Sequence, residues 1–122
     1  MIAFFKRARL FVAALLVLGS GLAEAHSIVL EAQPKQKAEV QGPDVPVNLR
    51  FNTRIDATRS KLVVVDAAKK SKTTLDIAKD AAPDRMIATA KGLAAGAYTL
   101  EWFVLSADGH IVRGRLNFTV KP

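Results

Sequence analysis

A chain of 122 residues, half of them hydrophobic and none of them cysteine, has room for one small domain held together by its core alone. The lack of cysteine excludes disulfides, thiolate metal ligands and thiol catalysis. The formal charge of +7 is no signature of nucleic-acid binding, because the Lys and Arg residues are scattered along candidate strands and turns.

Residues 1–25 read as a cleavable secretory signal. Lys6, Arg7 and Arg9 precede the apolar run "LFVAALLVLGSGLA", and Ala23-Glu24-Ala25 has the small-x-small pattern of a cleavage site. A membrane span needs about 20 apolar residues, and this run is shorter and broken by Gly-Ser-Gly, so the processed protein is not expected to span a membrane. Cleavage after Ala25 leaves residues 26–122 as a single domain. Loss of Lys6, Arg7, Arg9 and Glu24 lowers the formal charge from +7 to +5. Export also argues against nucleic acid as a partner.

From there the chain alternates short strand patterns with turn residues. "SIVLEA" is the first candidate, ended by Gln33-Pro34; "VPVNLRF" puts Val45, Val47, Leu49 and Phe51 on one face by strict alternation. "KLVVVDA", the weaker "KTTLDIA" and "RMIATA", then "GAYTLEWFVLSA" and "HIVRGRLNFTV" complete about seven strands. Such spacing predicts an all-β, antiparallel, immunoglobulin-like Greek-key sandwich or barrel. "IDATRSK" and "KDAAPDR" have room for one short helical turn each.

Between the last two strands stands "LSADGHIVRG". An Asp-Gly pair suggests a two-residue hairpin turn. In that register Ala107 would pair with His110, and Leu100 and Trp102 would face Asn117 and Arg115, turning the two apolar faces opposite ways. A shift by one residue restores a common face, with Leu100, Trp102 and Val104 beside Val112, Leu116 and Phe118. The connection is therefore expected to be odd in length or bulged, with Gly109 at positive φ and Asp108 and His110 projecting to one side. Ser106 is a candidate hydrogen-bond support for Asp108.

Cleavage would also make His26 the first residue. Its free amine and Nδ1 can chelate one metal in a six-membered ring, which an internal histidine cannot do. With His110 and Asp108 added, the donors form an N₃O set suited to tetragonal Cu(II). Amine and imidazole must both lose a proton to bind, so affinity should fall on acidification.

Taken together, the signal-like segment, the Ala25-His26 junction, "VPVNLRFN" and "LAAGAYTLEWFVLSADGHIVRGRLNFTV" resemble the CopC family of periplasmic copper-binding proteins. The resemblance covers essentially all of residues 26–122 and is strongest from Leu93 to Val120. It implies a cupredoxin-like fold, periplasmic localisation, and one Cu(II) per chain held by His26, Asp108 and His110. It further implies a role in copper sequestration, delivery or resistance, with an inner-membrane copper importer or a resistance system as partner. Where some members place an acidic ligand, this chain has Thr53, between Asn52 and Arg54. Members that bind Cu(I) use a methionine-rich loop. The mature chain holds only Met86, so no Cu(I) site is expected.

Ser27, Ser60, Ser71 and Ser106 lack a histidine to spare for a hydrolase arrangement, and no Gly-rich phosphate loop or internal repeat is present. The chain is therefore not expected to be an enzyme. Tyr98 and Trp102 fall on the apolar face and read as core, Glu31 and Glu101 as solvated strand charges. The residues also leave open a non-metal immunoglobulin-like interaction module in which His26 and the Asp108 loop are incidental.

Overall fold

The computed structural model describes residues 28–122. Among them are eight strands: β1 Val29–Gln33, β2 Ala38–Val40, β3 Val45–Phe51, β4 Ile55–Asp66, β5 Lys72–Thr74, β6 Arg85–Ala90, β7 Gly96–Ser106 and β8 Ile111–Val120. They form a three-stranded sheet in the order β1-β3-β6 and a five-stranded sheet in the order β2-β8-β7-β4-β5. Residues 1–25, read as a signal, and His26 lie outside the described residues.

The alternating patterns of β3 and β7 set the sandwich. Val45, Val47, Leu49 and Phe51 from one sheet meet Leu62, Val64, Leu100, Val104, Leu116 and Phe118 from the other in a single core. A fully buried side chain of this kind contributes about 1.5–3 kcal/mol. Without disulfides, this interior is the main source of stability. Tyr98 stacks on Phe118 with ring centroids 5.6 Å apart. Its hydroxyl donates to the Ala94 carbonyl at 2.7 Å, a corner that recurs in immunoglobulin-like sandwiches.

Register follows the common-face solution. Leu100 pairs with Leu116, Trp102 with Gly114 and Val104 with Val112. At Gly114 the core face lacks a side chain, and the Trp102 indole fills that space. A Cβ there would stand 2.4 Å from the indole carbons.

Four features differ from the sequence expectation. An eighth strand, β2, runs parallel to β8, so the sheet is not wholly antiparallel. "IDATRSK" is not helical. It opens β4, pairing Ile55 with Ser106 and Asp56 with Leu105 before a bulge that ends at Lys61. The bulge is closed by Asp56 Oδ1, which accepts from Thr58 N and Arg59 N, and by the Ser60 hydroxyl, which donates to the Asp56 carbonyl at 2.6 Å. "KDAAPDR" is likewise not helical, because the carbonyls of Pro83 and Asp84 accept from Ile55 N and Phe51 N instead of from amides of their own segment. "KTTLDIA" is strand only at Lys72–Thr74. Beyond it the chain crosses between sheets, Leu75 N donating to Leu62 O and Ala78 N to Ile87 O.

Gly114→Ala should overpack the Trp102 contact and lower unfolding stability by about 1–3 kcal/mol. Urea denaturation followed by tryptophan fluorescence measures this directly, and an unchanged midpoint would show that the indole can move aside.

Candidate metal centre

At one end of the sandwich β7 and β8 are joined by a three-residue loop. Ser106 N donates to His110 O at 2.9 Å, and Gly109 N to Ser106 O at 2.9 Å, leaving Ala107, Asp108 and Gly109 outside the ladder. Gly109 has φ 91°, the left-handed conformation that lets a type I turn rejoin a right-twisted hairpin. The odd loop length expected from the strand faces is the one observed.

Asp108 and His110 stand together on this loop, both exposed. His110 Nδ1 lies 3.2 Å from Asp108 Oδ2. The other carboxylate oxygen, Oδ1, accepts from the Ser106 hydroxyl and, at 3.3 Å, from His110 N. Ser106 itself is buried, so the loop is pinned from beneath. Its hydroxyl also lies 3.1 Å from the His110 carbonyl. These donors hold the Asp108 carboxyl down at about 2, the Ser106 hydroxyl first and the His110 backbone amide next. The group is therefore ionised at any pH at which copper chemistry is relevant. As a carboxylate with a depressed value, it stabilises the folded loop above the ordinary aspartate range, and that contribution is lost as pH falls through about 2.

The loop is also tied to the neighbouring strand. Ala107 N donates to Arg54 O at 2.9 Å, one step beyond the Ile55–Ser106 pair, so the β4–β7 ladder continues into the β3–β4 connection, Asn52 to Arg54. The same connection holds the amino-terminal end of the described chain. Asn52 N donates to Ile28 O at 3.0 Å, and Ile28 N donates to Asn52 Oδ1 at 2.9 Å. Thr53 sits within it, partly buried. No feature of the sequence pointed to Arg54, because its link to the loop is made by a backbone carbonyl that extends the β4–β7 ladder.

Of the three expected ligands, the structure brings together Asp108 and His110; His26 lies outside the described residues. Among the described residues no group of three or more His, Asp or Glu converges as a metal site. Glu31 pairs with Arg50 at 2.8 Å and with Arg85 at 3.7 Å, and Glu101 faces Arg115 at 3.9 Å, all away from the loop. Tyr98 and Trp102 are buried in the core.

Fold and loop together define a class: a small, cysteine-free, immunoglobulin-like and cupredoxin-like β-sandwich with an exposed Asp-x-His hairpin at one end. The CopC domain model matches residues 29–121, and the chain belongs to the CopC family. It is 31% identical over 119 residues to copper resistance protein C of Pseudomonas syringae pv. tomato, covering 92% of each chain. It is 29% identical over 111 residues to copper resistance protein C of Xanthomonas campestris pv. juglandis, covering 85% of this chain and 87% of that one. Among solved structures, CopC from Methylosinus trichosporium OB3b superposes with a TM-score of 0.73 at 32% identity, over 80% of this chain and 95% of that one. PcoC, a methionine-rich copper resistance protein from Escherichia coli, superposes with a TM-score of 0.64 at 27% identity, over 80% of this chain and all of that one.

Ser106→Ala should release Asp108 Oδ1 and let the carboxyl rise from about 2 toward the model-peptide value of about 3.9. Carbon-13 NMR titration of the side-chain carboxyl reads this. A midpoint that stays near 2 would assign the depression to the His110 amide.

Proposed function

We propose that this protein is an exported, periplasmic Cu(II)-binding protein that holds one copper ion per chain as cargo, for sequestration, delivery or resistance, without catalysing a reaction. The observation that carries the reading is the convergence of Asp108 Oδ2 and His110 Nδ1 at 3.2 Å on an exposed, buttressed loop. Nitrogen and oxygen donors bind divalent ions at about 2.0–2.2 Å, and two such donors at right angles on one ion stand about 3 Å apart. The pair is thus already spaced as neighbouring ligands. Because Asp108 Oδ1 is held by Ser106, Oδ2 is the oxygen left to meet a metal.

His26 completes the set. It precedes Ile28 by two residues, an extended reach of about 7 Å. Ile28 is bonded to Asn52, and Arg54 of the same connection is bonded to Ala107 of the loop. A processed chain that begins at His26 would supply its amine and Nδ1 to the same ion. The donors are then three nitrogens and a carboxylate, a set that favours Cu(II) in tetragonal geometry. With Thr53 in place of an acidic ligand, water or Asp108 fills the fourth equatorial position. Met86 is fully buried in the core, which favours Cu(II) over Cu(I).

The membership of the CopC family and the copper resistance relatives support the copper role and a periplasmic location; a copper transporter of the inner membrane as partner is part of the proposal. Among the described residues no helix is long and apolar enough to cross a membrane.

Three measurements test it. Protein processed to begin at His26 should bind one equivalent of Cu(II) with an electron paramagnetic resonance signal of nitrogen-rich tetragonal copper, and one extra residue before His26 should weaken binding at least about tenfold by removing the amine, a loss of about 1.4 kcal/mol or more. Equal binding by both forms would remove the chelate, and binding by neither would leave a non-metal interaction module as the better reading. His110→Ala should weaken binding by a similar factor. Cu(II) titrations at about pH 7 and about pH 5 should show affinity falling on acidification, because protons compete with the metal for the amine and imidazole nitrogens, whereas Asp108, held down at about 2, stays ionised at both.

A further inference from the structure

The outer face of the β4-β7-β8 sheet, next to the loop, is neither polar nor neutral. Leu105 and Ile111 form the last pair of the β7–β8 ladder before the loop, and Ile111 is 68% exposed. Phe103 follows two residues down, with the Arg113 guanidinium 5.4 Å from its ring centroid. Together with Arg59 and Lys61 from β4 they line a groove of about 450 Å³ whose floor is apolar and whose rim is cationic. Arg59 lies 3.7 Å from Asp56, while Lys61 and Arg113 have no carboxylate partner among the described residues. Exposed apolar side chains ringed by a single sign of charge mark an interaction surface. Phe and Arg are also residue types that dominate binding energy at such surfaces.

We propose that this groove docks an acidic segment of a protein partner, one that inserts an aliphatic or aromatic side chain between Phe103 and Ile111 and sets carboxylates against Lys61 and Arg113. Charge complementarity selects an acidic ligand. Concavity selects a protruding side chain over a flat bilayer. Ile111 is joined to His110 and Leu105 to Ser106, so the groove ends next to the loop that carries the Asp108–His110 pair. The proposal builds on the copper-cargo reading by giving the partner's docking segment its chemistry, and it places that partner where an ion could pass between the two proteins.

The test uses the metal-free processed protein, nitrogen-15 labelled, titrated at low salt with the blocked hexapeptide Asp-Glu-Leu-Phe-Asp-Glu. Saturable amide shifts are expected at Arg59, Lys61, Phe103, Leu105, Ile111 and Arg113. Binding should weaken at least about tenfold in Arg113→Glu and with the control peptides Lys-Lys-Leu-Phe-Lys-Lys and Asp-Glu-Ala-Ala-Asp-Glu, and should weaken on raising salt to about 0.5 M, where the Debye length falls to about 4 Å. A thermal melt of Arg113→Glu that matches the parent excludes misfolding as the cause. No saturable shift, shifts on another face, or equal response to the basic peptide would overturn the proposal. So would broadening of these resonances by phosphatidylglycerol vesicles without peptide binding, which would make the face a lipid surface. Copper and docking separate cleanly: Arg113→Glu should keep Cu(II) and lose the peptide, and His110→Ala should lose Cu(II) and keep the peptide. Peptide binding without copper binding would sink the cargo reading alone, and copper binding without peptide binding would sink the docking proposal alone.

Discussion

The register of the β7–β8 hairpin governs both the interior and the loop end of this protein. Three loop residues, with Gly109 at positive φ, place Leu100 opposite Leu116 and Val104 opposite Val112. Both strands then turn their apolar sides into one core. A two-residue turn would reverse one strand and put Arg113 and Arg115 where side chains must be buried, a cost no exposed contact could offset. The same three residues leave Asp108 outside the ladder, with its carboxylate free to fold back on Ser106 and His110. Core packing and the candidate site are thus two results of one register.

Support for the loop comes from beneath and from the neighbouring strand β4. Ser106 is buried at the end of β7, yet its hydroxyl reaches Asp108 and lies near the His110 carbonyl, so a core position holds an exposed carboxylate in place. The Arg54 carbonyl joins the loop to the β3–β4 connection, and Asn52 joins that connection to Ile28. Three segments far apart in sequence, at Ile28, Asn52 to Arg54 and the loop, meet through bonds that do not involve the Thr53 side chain.

Charge is distributed in keeping with this division. On the three-stranded sheet Glu31 is shared by Arg50 and Arg85, with Asn48 accepting from Arg85, and that outer face is internally compensated. On the five-stranded sheet the cations near the loop gather around Phe103, Leu105 and Ile111 with less compensation. Two faces of similar overall composition therefore differ in what they can attract. Alternation along β7 placed Phe103 and Leu105 on the outer face, but their meeting with Lys61 and Arg59 depends on the bulge in β4.

Alternation and apolar matching were enough to determine, from sequence alone, an all-β chain, most of the core, the common-face register and the odd loop, because side-chain direction along a strand has a period of two and a slip of one residue is ruinous. Asp108 and His110 could be picked out as a pair for the same reason. Tertiary structure decided what local pattern does not encode. It turned "IDATRSK" into a bulged strand and "KDAAPDR" into a turn, since the groups that satisfy their backbones belong to Leu105, Phe51 and Ile55. It laid β2 parallel to β8, it faced Asp108 Oδ2 toward His110 Nδ1, and it joined Ile28 to the loop through Asn52 and Arg54. Each of these rests on a backbone or side-chain bond between residues distant in the chain, and only the closed fold brings such partners within reach.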